Sequence, residues 1–287
     1  MQLLKTVVPI IFVISLAACG RHYPAAPAQA GLIQQFTSLE DSSIQQPVQT
    51  SWGINTGWSI YKDIMFAGTA IEGSLTHNIQ FAKGRRLLNC RITGGDAYNN
   101  LFFTNTLARQ WKQKKWHFSK ANAFSYSMHF YVDNLIDCSN GNQSELEGLE
   151  FTFQKATPPQ SYLWGLQWSK ANVWSYWDDT RHNGRVKGWV TLPGLTACIS
   201  GRQWNHIRIT GYYRGNQLYY SNLYLNGKTF ALNVKTKHSY LPGDFAENYL
   251  QAGFQINGNK AVQKNHPHGT DPVSVYLDDV SLQVSRQ

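Results

Sequence analysis

Glu147-Gly148-Leu149-Glu150-Phe151-Thr152-Phe153-Gln154 alternates between apolar and polar side chains. Successive side chains of a β-strand point to opposite faces. Leu149, Phe151 and Phe153 are therefore expected on one face, and Glu150, Thr152 and Gln154 on the other. Outward from this stretch the same grammar repeats. Short runs bounded by Gly, Asn, Asp and Pro predict strands at 124–132, 148–154, 162–168, 173–177, 206–213, 218–225, 250–256 and 273–284. Asn226-Gly227, directly after Leu225, predicts a tight hairpin, because both central residues of that turn need positive φ. No segment beyond Ser51 shows the period of an amphipathic helix, and no internal repeat or boundary breaks it. The expectation is an all-β chain: a jelly-roll β-sandwich of two antiparallel sheets spanning residues 51–287.

Composition narrows the class. Of the 287 residues only 15% are charged while 14% are aromatic, against about 25% charge in ordinary soluble domains. The surface is thus expected to rely on uncharged polar and aromatic groups. Gly and Pro recur without a period, which excludes a collagen-like chain. No apolar run reaches the roughly 18 residues a spanning helix needs, which excludes a polytopic helical membrane protein. The formal net charge of +9, from 26 Lys and Arg against 17 Asp and Glu, favours contact with anionic surfaces but says nothing of the fold.

The N-terminus points to the cell envelope. Lys5 precedes an apolar stretch from Val7 to Ala18, and small residues lead into Leu16-Ala17-Ala18-Cys19-Gly20, the pattern of a secretory signal. Leu16-Ala17-Ala18-Cys19 resembles the lipobox of bacterial lipoproteins. That resemblance implies cleavage before Cys19, acylation of Cys19 and, since Gly20 is not Asp, anchoring in the outer membrane, facing the periplasm or the cell surface. Residues 1–19 are read as a lipoprotein signal peptide and residues 20–50, rich in Ala, Pro, Gln and Ser, as a flexible tether. Within the tether, residues 32–39 are apolar enough to dock. In such an oxidising compartment Cys90, Cys138 and Cys198 allow one disulfide and one leftover thiol, with all three pairings open. None has the spacing of a metal site.

The candidate site follows from the opening stretch. Its polar row lies beside aromatic strands, Trp164-Gly165-Leu166-Gln167-Trp168 and Trp174-Ser175-Tyr176-Trp177-Asp178-Asp179. Carboxylates and amides take sugar hydroxyls, and flat rings stack on the C–H faces of pyranoses. Alternation buries about half of Trp164, Trp168, Trp174, Tyr176 and Trp177. The residues expected to bind carbohydrate are Glu150, Gln154, Gln167, Trp177 and Asp178.

Glu150-Phe151-Thr152-Phe153-Gln154, Trp164-Gly165-Leu166-Gln167, Tyr176-Trp177-Asp178 and Trp204-Asn205-His206-Ile207 resemble a group of secreted bacterial proteins with a concanavalin A-like lectin/glucanase jelly roll, as does the final Val275-Tyr276-Leu277-Asp278-Asp279-Val280-Ser281-Leu282. The resemblance runs from about Phe124 to Val284. It implies the fold; the polar row and its rings predict a glycan on the concave face, with no cofactor required. Many such jelly rolls ligate a structural calcium through a similar last strand, which would make Asp278 a ligand.

Glu150-x-Thr152-x-Gln154 more distantly resembles the Glu-x-Asp strand of laminarinase-like glycoside hydrolases, where the first Glu is the nucleophile. Here Thr152 stands for the helper and Gln154 near the acid/base, and an amide cannot donate that proton. A glycoside hydrolase or polysaccharide lyase would have to pair Glu150 with Asp178 or Asp179. A third reading is a non-catalytic module that binds another envelope protein. The basic, aromatic stretch Arg109–Lys120 reads as a solvated edge or an anion contact; no nucleic-acid partner is expected. His266-Pro267-His268 reads as loop.

Overall fold

Among the described residues every regular segment is a strand. The computed structural model describes residues 32–38, 58–64, 71–81, 85–94, 99–106, 121–133, 146–157, 159–169, 172–182, 185–237, 239–240, 249–257 and 273–287. In chain order the strands are β1 (Leu32–Ser38), β2 (Trp58–Ile64), β3 (Ile71–Phe81), β4 (Arg85–Gly94), β5 (Asn99–Thr106), β6 (Ala123–Val132), β7 (Gly148–Thr157) and β8 (Gln160–Ser169). They continue as β9 (Trp174–His182), β10 (Arg185–Thr191), β11 (Trp204–Arg214), β12 (Gln217–Leu225), β13 (Lys228–Lys237), β14 (Ser239–Tyr240), β15 (Tyr249–Asn257) and β16 (Val273–Ser285).

The strands form the two antiparallel sheets of a jelly-roll sandwich. The first runs β13-β12-β11-β6-β16-β4-β3 with β1 on β16, and the second β10-β9-β8-β7-β15-β5-β2 with β14 on β8. The central strands β6 and β16, and β7 and β15, come from distant parts of the chain. Folding therefore has to close long loops before these pairs can form.

The core lies between the sheets and follows the predicted alternation. Phe124, Tyr126, Met128 and Phe130 of β6 face Leu149, Phe151 and Phe153 of β7, all buried. Phe130 meets Phe151 at 5.4 Å between centroids, and Phe124 meets Phe153 at 4.6 Å. Tilted aromatic contacts of this kind add to the stabilisation from area burial. Trp164, Trp168, Trp174 and Tyr176 also point inward and are buried. The three indole N–H groups are satisfied: Trp164 Nε1 donates to the Tyr219 carbonyl at 3.3 Å, Trp168 Nε1 to Asn172 Oδ1 at 3.2 Å and Trp174 Nε1 to the Ala197 carbonyl at 2.6 Å.

The Asn226-Gly227 hairpin forms as expected between β12 and β13, with φ of 50° and 83°. Leu32–Ser38, inside the stretch that composition assigns to a tether, forms a strand. The reason lies in β16: β4 pairs with it only from Val273 to Leu277, and β1 takes the remaining edge from Val280 to Ser285. Unpaired backbone groups on a long central strand are thereby satisfied. Residues 1–31, the basic stretch Arg109–Lys120, Cys138 and His266–His268 lie outside the described residues.

Candidate functional site

The outward face of the second sheet is built by β5, β15, β7, β8, β9 and β10. Glu150 on β7 is opposite Gln255 of β15 on one side and Gln167 of β8 on the other. Its carboxylate Oε1 accepts from Gln167 Nε2 at 2.8 Å and from Asn257 Nδ2 at 2.9 Å. Asn257 Oδ1 in turn accepts from Gln255 Nε2 at 2.9 Å. Glu150 is only 7% exposed, so these amide donors offset the cost of holding a carboxylate away from water. The result is a connected row of amides around one acid, with Asn100 of β5 register-paired to Asn257.

The next row has a different character. Thr152 is flanked across the strands by Gly253 and Gly165. A Cβ at Gly253 would lie 2.3 Å from the Phe102 ring, and one at Gly165 would lie 3.1 Å from Trp189. Glycine at these two positions lets the rings lie over the sheet on either side of Thr152. Trp177 of β9 packs edge-on against Trp189 of β10, with centroids 5.3 Å apart and planes at 73°. Its Nε1 donates to Asp179 Oδ1 at 2.9 Å, which fixes the indole. Gln154 stands one row further along the same strand and donates to Ser161 Oγ at 2.7 Å.

Glu150, Gln154, Gln167 and Trp177 thus share one outward face. Asp178 does not. It follows Trp177 on β9 and therefore turns inward, where it is 4% exposed. It accepts from the Thr236 hydroxyl of β13 in the facing sheet and from the Thr180 N–H at 3.0 Å, and it pairs with Lys187 at 3.2 Å. Burial works against its charge, but the hydrogen bonds from Thr180, Thr236 and Lys187 outweigh burial and hold its carboxyl below the usual range. Asp178 is an inter-sheet pin, so the expected pairing of Glu150 with Asp178 does not occur. Asp179 is on the correct face, two strands away and two rows along. The groups directly beside Glu150 are Gln167, Gln255, Gly148 and Thr152.

No family profile and no curated protein matches this sequence. Solved structures with similar strand arrangements share little sequence. The marine alginate lyase from Aplysia kurodai is 12% identical, with a TM-score of 0.49 over 88% of this chain and 99% of its own. Basic winged bean lectin, solved with Tn-antigen, is 10% identical, with a TM-score of 0.42 over 88% of this chain and 98% of the lectin. A botulinum neurotoxin type C structure is 12% identical at a TM-score of 0.37, over 76% of this chain; the chain spans 43% of that protein's length. No residue role passes from any of these proteins to this chain.

On the first sheet, Asp278 sits at a β-bulge of β16 between register positions Asp278 and Ser281. Its Oδ1 accepts the Asp279 N–H at 2.9 Å, and Asp279 adopts a φ of 48°. Calcium takes six to eight oxygens. Among the described residues no group of three or more His, Cys, Asp or Glu side chains is placed to hold a metal ion.

Asn100, Phe102, Trp189, Gly253, Gln255 and Asn257 complete this face beyond the residues that the sequence predicts. The period-two signal was present for Gln255 and Asn257 in β15, but the row they join is assembled from strands remote in sequence.

Proposed function

We propose that this chain is a carbohydrate-binding jelly-roll protein whose glycan lies across the outward face of the second sheet. The observation that supports this reading is the placement of one acid, Glu150, among amides and beside the rings of Phe102, Trp177 and Trp189. Amide N–H groups donate to sugar oxygens, carbonyl and carboxylate oxygens accept from hydroxyls, and the rings receive pyranose C–H faces. Retaining hydrolysis needs two carboxyl groups about 5–5.5 Å apart. Here the positions beside Glu150 on its face hold amides, Gly and Thr, a setting that favours binding over cleavage.

The reading includes display at the bacterial outer membrane. Cys19 is the lipid attachment point, and the residues between it and β1 are the spacer. Several acyl chains on one Cys suffice for stable anchoring.

Affinity electrophoresis through gels cast with neutral and acidic polysaccharides tests the function. Retardation by at least one polymer is expected, lost in Trp177→Ala and unchanged in Asp178→Asn. Release of reducing ends or unsaturated products, abolished by Glu150→Gln, would replace binding with catalysis. Uniform migration through every gel would overturn the glycan reading.

A further inference from the structure

The outward face of the first sheet carries a second set of groups. On β11, Arg208, Thr210 and Tyr212 point outward at alternate positions, and their register partners on β12 are Tyr224, Asn222 and Tyr219. The Arg208 guanidinium lies 3.8 Å from the centroid of the Tyr224 ring. Among the described residues Arg208 makes no ion pair and no hydrogen bond, and its Nε is buried without a partner. Asp279, a carboxylate that reaches the same face, is taken up by His129 Nδ1 at 3.1 Å. A half-buried cation with no counter-charge is costly to hold, and an anion would offset that cost.

Alongside Tyr224, the ring that Arg208 covers, opens a cavity of about 370 Å³ lined by Thr210, Tyr212, Asn222, Tyr224, Ser285 and Arg286, among others; Arg208 stands behind Tyr224 and does not line it. Its size is at the low end of small-molecule sites, which run from about 300 to 1,000 Å³, and suits one or two sugar rings. Tyr212 is fixed by a parallel stack on Tyr219, with centroids 4.5 Å apart and planes at 7°. Tyr224 is fixed by Arg208. The walls are therefore rigid rings and the floor is hydroxyl and amide, with exposed Arg286 at the rim. We propose that this cavity binds a carboxylate-bearing sugar unit, with Arg286 receiving the carboxylate, the Tyr212 ring receiving the sugar, and the uncompensated charge of Arg208 behind Tyr224 adding positive potential to the site. The site is on the sheet opposite Glu150 and stands independently of the glycan proposed there.

Calorimetric titration of the full chain with trigalacturonate and with its methyl ester tests the assignment. The acid is expected to bind at least tenfold more tightly than the ester. Arg286→Gln, an exposed substitution that leaves the core untouched, should weaken the acid at least tenfold. Arg214→Gln, an equal charge change at the exposed end of β11, should not. Equal affinity for acid and ester, equal effects of the two Arg substitutions, or no binding of the acid would each overturn the proposal.

Discussion

The hydroxyl of Tyr220 donates to the Trp177 carbonyl at 2.9 Å and accepts the Gly165 N–H at 3.0 Å. The register between β8 and β9 runs from Leu166–Tyr176 to Trp168–Trp174, so a side chain from the facing sheet completes the backbone bonding where Trp177 leaves the ladder. Burial pushes the Tyr220 hydroxyl far above its ordinary pKa and keeps it a donor. Tyr220→Phe should cost about 1–3 kcal/mol, since it strands two buried backbone groups. It should also weaken glycan retention by releasing Trp177. Urea unfolding and affinity gels on the same variant check both effects; intact stability with normal retention would refute the role.

Asp178 separates stability from binding. Asp178→Ala removes the acceptor of Thr180, Thr236 and Lys187 and should destabilise by about 1–3 kcal/mol, with glycan retention unchanged below the unfolding transition. The carboxyl's folded pKa is depressed, so its stabilisation is present above the unfolded value and is lost as pH falls through the folded one. Acid titration of wild type and variant should converge at low pH.

His206 provides the acid limb at higher pH. Burial, then the charges of His129 and Arg208, lower its pKa to about 4, partly opposed by Asp279. The unfolded chain takes up this proton near pH 6.5 and the folded chain only near 4, so stability should decline as pH falls through that window. His206→Asn should flatten the decline, measured as melting temperature between pH 7 and 4. An unchanged slope would show that another group carries it.

Lys155 does the same on the alkaline side. Its Nζ is buried, donating to the Ala121 carbonyl at 2.6 Å and to the Tyr213 hydroxyl at 2.8 Å, and burial lowers its pKa to about 8. The unfolded state holds its proton up to about 10.5, so stability should rise with pH between 8 and 10.5. Tyr213 already donates to the same carbonyl at 3.0 Å. Lys155→Met should therefore leave the Ala121 carbonyl with a donor, raise stability at pH 7 by about 1 kcal/mol and abolish the alkaline rise.

Cys90 is buried as a free thiol, and burial pushes its pKa up. The pair expected to bridge is then Cys138 with Cys198, a link worth about 4 kcal/mol by loop-closure entropy. Non-reducing peptide mapping should recover that pair; a bridge containing Cys90 would refute it.

The strands that the sequence made legible are those whose inward face is large and apolar and whose outward face is polar, such as β6 and β7. Edge strands were not legible, and neither were the inner β4 and β5, for which the sequence predicts no strand. In β13 the inward positions Leu232, Val234 and Thr236 are diluted by Lys228, Lys235 and Lys237, and only part of the alternation is apolar. β10 is interrupted by Gly188 at a φ of 78°. The outward set Glu150, Gln154, Gln167 and Trp177 followed from period two alone. Assigning Asp178 to the same face did not, since it is adjacent to Trp177 and alternation sends it inward. Phe102 and Trp189 needed the strand order, which no local pattern encodes.

The β1–β16 pairing has a mechanical consequence. A pull on Leu32 along the strand axis strains the bonds from Leu32–Ser285 to Ser38–Val280 together, in shear, instead of opening them one by one. β16 is also bonded along its other edge to β6, well inside the sheet. Such a pull is thus carried into the centre of the first sheet instead of peeling an edge strand.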